Sequence, residues 1–164
     1  MGFGSKLHLP LKEREHKYLV VDNSWRDLQI SQIEIYQGYL CRDPRATIRV
    51  RIYGDKGFIT VKGITIGDTR DEFEYSIPYE DASAMLKMCR GNVIHKIRHI
   101  VPFGGLTWEV DEFLGSLSHL CIAEVELPEG MEKWTEPPFV GCDVTGDKRY
   151  YNSNLFGLNN GLDQ

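Results

Sequence analysis

Charged residues recur two apart along this chain, and they recur largely sorted by sign. Glu13, Glu15 and Lys17 form the first set, followed by Arg49/Arg51, Glu72/Glu74, Lys96/Arg98, Glu109/Asp111 and Glu124/Glu126, with Lys62 alone in Phe58-Ile59-Thr60-Val61-Lys62. Residues two apart in an extended strand share a face, so each set projects its charges together. The opposite phase is apolar: Ile48, Val50 and Ile52; Ile59 and Val61; Phe73 and Tyr75; Trp108 and Val110; Val125 and Leu127. Dense Lys and Arg suit the oxygens of a polyanion, and Glu and Asp suit hard divalent cations, which prefer oxygen ligands.

Two architectures present such a face. It is either the wet side of a half-buried antiparallel sheet or the lining of a closed barrel that holds a charged ligand. A face that serves only solubility intersperses signs and adds Ser, Thr and Gln, whereas whole strands here carry two carboxylates or two cations. That sorting points to a ligand with its own charge pattern. Such a lining has to be wet and neutralised by partners of both signs, since each unpaired buried charge costs on the order of several kcal/mol. The alternation alone leaves open which face points inward.

The elements that carry these residues follow from period and punctuation. Strand-like segments lie at about 13–21, 31–40, 46–53, 57–63, 69–77, 93–102, 106–114 and 120–128. Gly54-Asp55-Lys56-Gly57 and Gly104-Gly105 join neighbouring strands as hairpins. A helix is expected over residues 80–90, where Ala82, Met85, Leu86 and Cys89 fall at helical spacing and Gly91 supplies the stop, and a shorter helix follows Asp22. From Glu129 onward Pro137-Pro138, Gly141 and Gly146 interrupt an aromatic stretch, which reads as a wrapping or plugging segment with one helical turn near Lys148. The chain divides into an N-terminal extension (1–12), one domain (13–156) and a flexible tail (157–164), with no internal repeat.

Composition closes off other classes. A net charge of −5 argues against a broad nucleic-acid surface, and no apolar run approaches the roughly 18 residues of a membrane span. Cys41, Cys89, Cys121 and Cys142 form no CxxC and read as reduced thiols, so a cytoplasmic protein without nucleic-acid or membrane partners, acting as a monomer or homodimer, is expected. The chain has no GxxxxGK[ST], HExxH or GxSxG pattern. Gly2-Phe3-Gly4-Ser5-Lys6 reads as a frayed terminus, His16, His95 and His99 as outer-wall residues, and Trp108 and Tyr75 as packing under the helix.

The stretch Glu13-Arg14-Glu15-His16-Lys17 resembles the N-terminal ExExK signature of the CYTH superfamily, the triphosphate tunnel metalloenzymes. It is joined in the family's order by Thr47-Ile48-Arg49-Val50-Arg51, Thr60-Val61-Lys62-Gly63, Glu72-Phe73-Glu74, Lys96-Ile97-Arg98, Trp108-Glu109-Val110-Asp111 and Ala123-Glu124-Val125-Glu126, and the likeness over residues 13–155 closes with 144–152, similar to the end of the short bacterial members. Asp71 and Ser76 depart from the family pattern, both expected off the ligand face. The resemblance implies an α+β fold: an eight-stranded antiparallel β-barrel, the triphosphate tunnel, with a charged interior and helices packed outside.

The resemblance also implies roles. Lys17, Arg49, Arg51, Lys62, Lys96, Arg98 and Lys148 are expected to bind phosphate oxygens, and Glu13, Glu15, Glu124 and Glu126 to hold Mg²⁺ or Mn²⁺. Glu15, Glu74 and Asp111 are the candidates for positioning or activating water. The expected reaction is metal-dependent hydrolysis of inorganic triphosphate, since the tunnel face offers no evident aromatic slot for a nucleobase. Hydrolysis of ATP or another nucleoside triphosphate, adenylate cyclase chemistry, and non-catalytic polyphosphate binding are the alternatives.

Overall fold

Period-two alternation yields strands, and the strands curl until the sheet meets itself. The structure, a computed structural model, describes residues 11–89 and 91–161; the Gly2–Lys6 stretch, most of the N-terminal extension and residues 162–164 lie outside the described residues. The strands are β1 (Leu11–Val20), β2 (Ser31–Cys41), β3 (Ala46–Tyr53), β4 (Lys56–Gly63), β5 (Thr69–Ile77), β6 (Ile94–Phe103), β7 (Leu106–Phe113), β8 (Cys121–Glu126) and β9 (Val140–Asp143), with one α-helix, α1 (Tyr79–Met88). Their order is β5-β4-β3-β2-β6-β7-β8-β1-β9, and β5 also pairs with β1. Every pairing is antiparallel, so β1 to β8 close into the expected barrel. No helix among the described residues is long and apolar enough to cross a membrane.

Closure depends on β1 changing partners. Its first half, Leu11 to Arg14, pairs with Arg70–Glu72 and Thr69 of β5, and its second half pairs with β8 on one side and with the short β9 on the other. The ninth strand has no counterpart in the sequence reading, because Val140-Gly141-Cys142-Asp143 is too short and too irregular to show alternation. Gly104 and Gly105 both adopt positive φ, 60° and 76°, in the two-residue turn between β6 and β7, a conformation that residues with a Cβ rarely take.

The apolar phase faces outward and is covered. Tyr18, Val101, Trp108, Val110, Ala123 and Val125 are buried beneath Trp25, from a short 3-10 helix (Ser24–Asp27), and Phe139, with Met131 and Trp134 at the margin. The α1 helix lies over β2, β3 and β4, placing Ala82 against Val50 and Ile52. Close approach is needed there: a Cβ on Gly38 would sit 2.8 Å from Cys89 Sγ, and one on Gly57 2.8 Å from Ala82 Cβ. The helix ends before its expected stop. Cys89 is already extended (ψ 137°), its N–H bonded to Leu86 O at 3.3 Å, so Gly91 belongs to the following loop. Tyr75 is also not packed as expected. It is 51% exposed, since α1 lies over β2 to β4 and reaches β5 only at Ile77.

The other phase lines the interior, and at one end it turns apolar. Ile94, Phe113 and Ile122 occupy the tunnel phase of β6, β7 and β8, and they pack with Leu117 and Leu155, joined by Leu19, Tyr150 and Phe156. Leu155 belongs to a 3-10 helix, Asn152–Gly161, that runs into the segment expected as a tail. The C-terminal segment thus both wraps the wall, through Trp134 and Phe139, and plugs one end, through Leu155. Asp71 is off the tunnel face, paired with Lys12 at 2.5 Å. Ser76 is not: it shares the phase of Glu72 and Glu74, opposite Phe58, at the exposed end of β5.

Candidate active site

Three walls of the barrel carry charge, and register decides which charges meet. On the β8 and β1 wall, Glu126 faces Glu15 and Glu124 faces Lys17. Lys17 Nζ lies 3.3 Å from Glu124 Oε1 and donates to the Tyr150 carbonyl at 3.1 Å, linking the lining to the C-terminal plug. An open cavity of about 310 Å³ is lined by Glu15, Glu109, Glu124 and Glu126 with Gly105, Leu106 and Thr107 of the β6–β7 hairpin. Among the described residues no three His, Cys, Asp or Glu side chains converge into a finished metal-ligand set; the glutamates share a cavity without yet closing on one point.

The β6 and β7 wall is an ion cluster. Lys96 and Asp111 are both fully buried, with Lys96 Nζ donating to Asp111 Oδ2 at 2.5 Å. Arg98 donates to the same carboxylate through Nε and Nη2, each at 2.8 Å, and also pairs with Glu109 and, at 3.4 Å, with Glu124. Both oxygens of Asp111 are therefore engaged by cations. Such a pair is held by mutual compensation, and removing one partner leaves an uncompensated buried ion.

The third wall spans β3, β4 and β5. Glu74 Oε2 accepts from Thr60 Oγ1 at 2.9 Å, from Arg51 at 3.4 Å and from Arg49 at 3.5 Å. Lys62 donates to both oxygens of Glu13, at 2.9 and 2.8 Å, and lies 3.2 Å from Glu72. Arg70 Nε adds a 3.2 Å contact to Glu13. Buried N–H groups remain without acceptors on this wall, at Arg49 Nε and Arg51 Nε, and on neighbouring β2 the Gln37 Oε1 acceptor has no donor. Unmet buried donors are costly and call for an acceptor ligand.

The surroundings tune these groups differently. Burial, reinforced by Glu124 and Glu13, pushes the Glu15 carboxyl up to about 8. Burial also acts on Glu13, but the Lys62 and Arg70 cations outweigh it and hold that carboxyl near 2. Glu124 is likewise depressed, because Lys17, Arg98 and Lys96 overcome its desolvation. Burial and Arg98 bring the Lys96 ammonium down to about 8 despite Asp111, and burial with Arg49 and Arg98 lowers Arg51 to about 10. Burial and neighbouring like charge thus both act against the charged forms of Glu15 and Arg51.

Most of the expected site residues meet around one interior. Glu15, Glu124 and Glu126 share the cavity, joined by Glu109, while Glu13 stands with Lys62 and Arg70. Lys17, Arg49, Arg51, Lys62, Lys96 and Arg98 all line the walls. Lys148 is exposed on a 3-10 turn (Lys148–Tyr150), and it is that turn's Tyr150 carbonyl that touches the lining. Gln37, Tyr39, Thr60 and Arg70 also face inward yet belong to no charge doublet. β2 carries no inward ion, so only its phase, with Gln37 opposite Arg51 and Tyr39 opposite Arg49, marks its contribution. The interior is not free of aromatics either: Tyr53 and Phe58 share the tunnel phase, and the Arg51 guanidinium lies over both. His16, His95 and His99 are on the outer wall, bonded to Asp68 and Asp143, to Glu34, and to Gln29 and Glu112 respectively.

A family model described as CYTH domain matches residues 6–151. An inorganic triphosphatase of Acetivibrio thermocellus is 44% identical over 145 residues, spanning 88% of this chain and 92% of that protein. An inorganic triphosphatase of Nitrosomonas europaea is 32% identical over 150 residues, spanning 88% and 97%. A crystal structure described as an inorganic triphosphatase superposes with a TM-score of 0.64 at 31% identity, covering 87% of this chain and 93% of that one.

Proposed function

The chain belongs to the CYTH domain family, and from that premise and the charged tunnel we infer that it is an enzyme that hydrolyses inorganic triphosphate to pyrophosphate and phosphate. The observation that carries this reading is the pair of buried, acceptor-less donors at Arg49 Nε and Arg51 Nε in the same lumen as the Glu15/Glu109/Glu124/Glu126 cavity. A polyphosphate satisfies the first, and a hard cation satisfies the second. Relatives named as inorganic triphosphatases at 44% and 32% identity support the same substrate.

In this reading Arg49, Arg51, Lys62, Lys96 and Arg98 grip the phosphate oxygens, with Lys17 at the plugged end. Lys148, exposed on its turn, is left for the outermost oxygens. The all-oxygen donor set of Glu15, Glu124, Glu126 and Glu109, with Glu13 two residues from Glu15 on the same strand, fits Mg²⁺ or Mn²⁺; such an ion, when bound, neutralises phosphate charge and acidifies water. Water attacks the terminal phosphorus in line with the departing pyrophosphate oxygen; one P–O bond forms as the bridging P–O bond breaks. Catalysis consists mostly of positioning and charge stabilisation. Of the three candidate carboxylates, Asp111 and Glu74 already accept from cations, whereas Glu15 makes no such contact among the described residues. Geometry therefore favours Glu15 beside the water and gives Asp111 and Glu74 the task of holding Lys96, Arg98, Arg49 and Arg51 in place. The four free thiols support a reducing, cytoplasmic setting.

The test is phosphate release with Mg²⁺ or Mn²⁺ from tripolyphosphate, ATP and thiamine triphosphate, with cyclic AMP followed in parallel. Preferential turnover of tripolyphosphate is expected. Tight binding without turnover under every metal would reduce the protein to a polyphosphate-binding module, and cyclic AMP as the main product would make it a cyclase.

A further inference from the structure

The tunnel arginines are held by unlike means. Arg98 is fixed by carboxylates, with two bonds to Asp111 and contacts to Glu109 and Glu124. Those contacts immobilise the guanidinium, but they also neutralise it. Arg51 has little of this. Its carboxylate contact is Glu74 at 3.4 Å, already shared with Arg49 and Thr60, and its Nε has no acceptor. What surrounds it instead is aromatic: its Cζ lies 5.1 Å from the Tyr53 ring centroid and 5.8 Å from that of Phe58.

The backbone puts both rings there by register. Phe58 is the cross-strand partner of Arg51 in the β3–β4 hairpin, and Tyr53, two residues on from Arg51, takes the same face. A cation within about 6 Å of a ring centroid is attracted by the ring's quadrupole. That attraction orients the guanidinium while leaving its net charge intact, which a carboxylate cannot do.

Resting on the reading that a triphosphate occupies this tunnel, we propose that Phe58 and Tyr53 are positioning residues that hold the Arg51 guanidinium toward the lumen without neutralising it, and so set affinity for the polyanion. The division of labour follows from this. The β6–β7 wall supplies cations whose charge is largely spent on Asp111, and the β3–β4 wall supplies one whose charge is kept for the substrate.

The experiment is a double-mutant cycle read as metal-free tripolyphosphate Kd by titration calorimetry and as KM and kcat with Mg²⁺. Phe58→Leu keeps apolar bulk but removes the ring, and should raise Kd and KM about fivefold, within the range of a partly desolvated cation–π contact, with a smaller change in kcat. Phe58→Tyr should restore both, and in an Arg51→Ala background Phe58→Leu should change Kd less than about twofold. An unchanged Kd in Phe58→Leu while Arg51→Ala weakens binding overturns the positioning role alone, as does an equal loss in the Arg51→Ala background. An unchanged Kd in Arg51→Ala overturns the tunnel reading beneath it. Tyr53→Leu provides the same cycle should Phe58→Leu not fold.

Discussion

Replacing Asp111 by Asn removes one negative charge from between Lys96 Nζ, 2.5 Å away, and Arg98 Nε and Nη2, each 2.8 Å away. The site is dry, since the side chains of Lys96 and Asp111 have zero exposure, so water does not screen what is left. Breaking one side of such a buried cluster costs about 3–5 kcal/mol, a large part of the roughly 5–15 kcal/mol that holds a domain folded. At about 2–4 °C per kcal/mol for a chain of this size, the melting temperature should fall by about 6–20 °C. A polyanion should then do for the variant what Asp111 does for the parent. Thermal unfolding without metal, with and without tripolyphosphate, should show a larger ligand-induced rise in Tm for Asp111→Asn than for the parent. The double variant Lys96→Met/Asp111→Leu should lose less stability than Asp111→Asn alone, because it removes Lys96 together with its partner and leaves Arg98 paired with Glu109 and Glu124. A Tm within 2 °C of the parent, or equal stabilisation by ligand in both proteins, would refute the view that Asp111 compensates these cations and would return it to the candidates for water activation.

Other expectations follow from the same geometry. Glu126→Gln should lower metal-dependent turnover while leaving metal-free triphosphate affinity unchanged or raised, checked by initial rates across a Mg²⁺ series. With the Lys96 ammonium brought down to about 8, the fold binds fewer protons there than the unfolded chain, so Lys96 makes stability rise with pH between about 8 and its unfolded value. Triphosphate, which favours the charged form, should draw protons up on binding above pH 8. Calorimetry in buffers of different ionisation enthalpy should show this uptake reduced in Lys96→Met. Leu155→Ala should cost about 2–5 kcal/mol by emptying the plug among Ile94, Phe113 and Ile122, read by urea unfolding.

The charge doublets made the strand faces legible because period two assigns faces without knowledge of partners, while the closed barrel with its charges inward was legible only through the family resemblance. The same rule is silent on β2, whose inward residues Ile35, Gln37 and Tyr39 carry no charge, and on β9, too short to alternate. It also assigns faces rather than neighbours. Glu13 and Glu15 share a phase, yet the β1–β5 register delivers Glu13 to Lys62 and Arg70 while the β1–β8 register delivers Glu15 to Glu126. Asp111 could be placed inside from sequence, but not recognised as fully engaged, since that depends on Lys96 and Arg98 reaching it across β6. The exposure of Tyr75 depends on how far α1 extends over the sheet, which no local pattern encodes.

Triphosphate is expected inside the barrel, with cations on its oxygens and metal on the glutamates. A crystal structure with tripolyphosphate and Mn²⁺, recorded at a wavelength where manganese scatters anomalously, tests it directly. An anomalous peak is expected in the cavity of Glu15, Glu109, Glu124 and Glu126, and phosphate oxygens against Arg49, Arg51, Lys96 and Arg98. Manganese and phosphate located together on the outer wall, with the lumen holding only water, would contradict it.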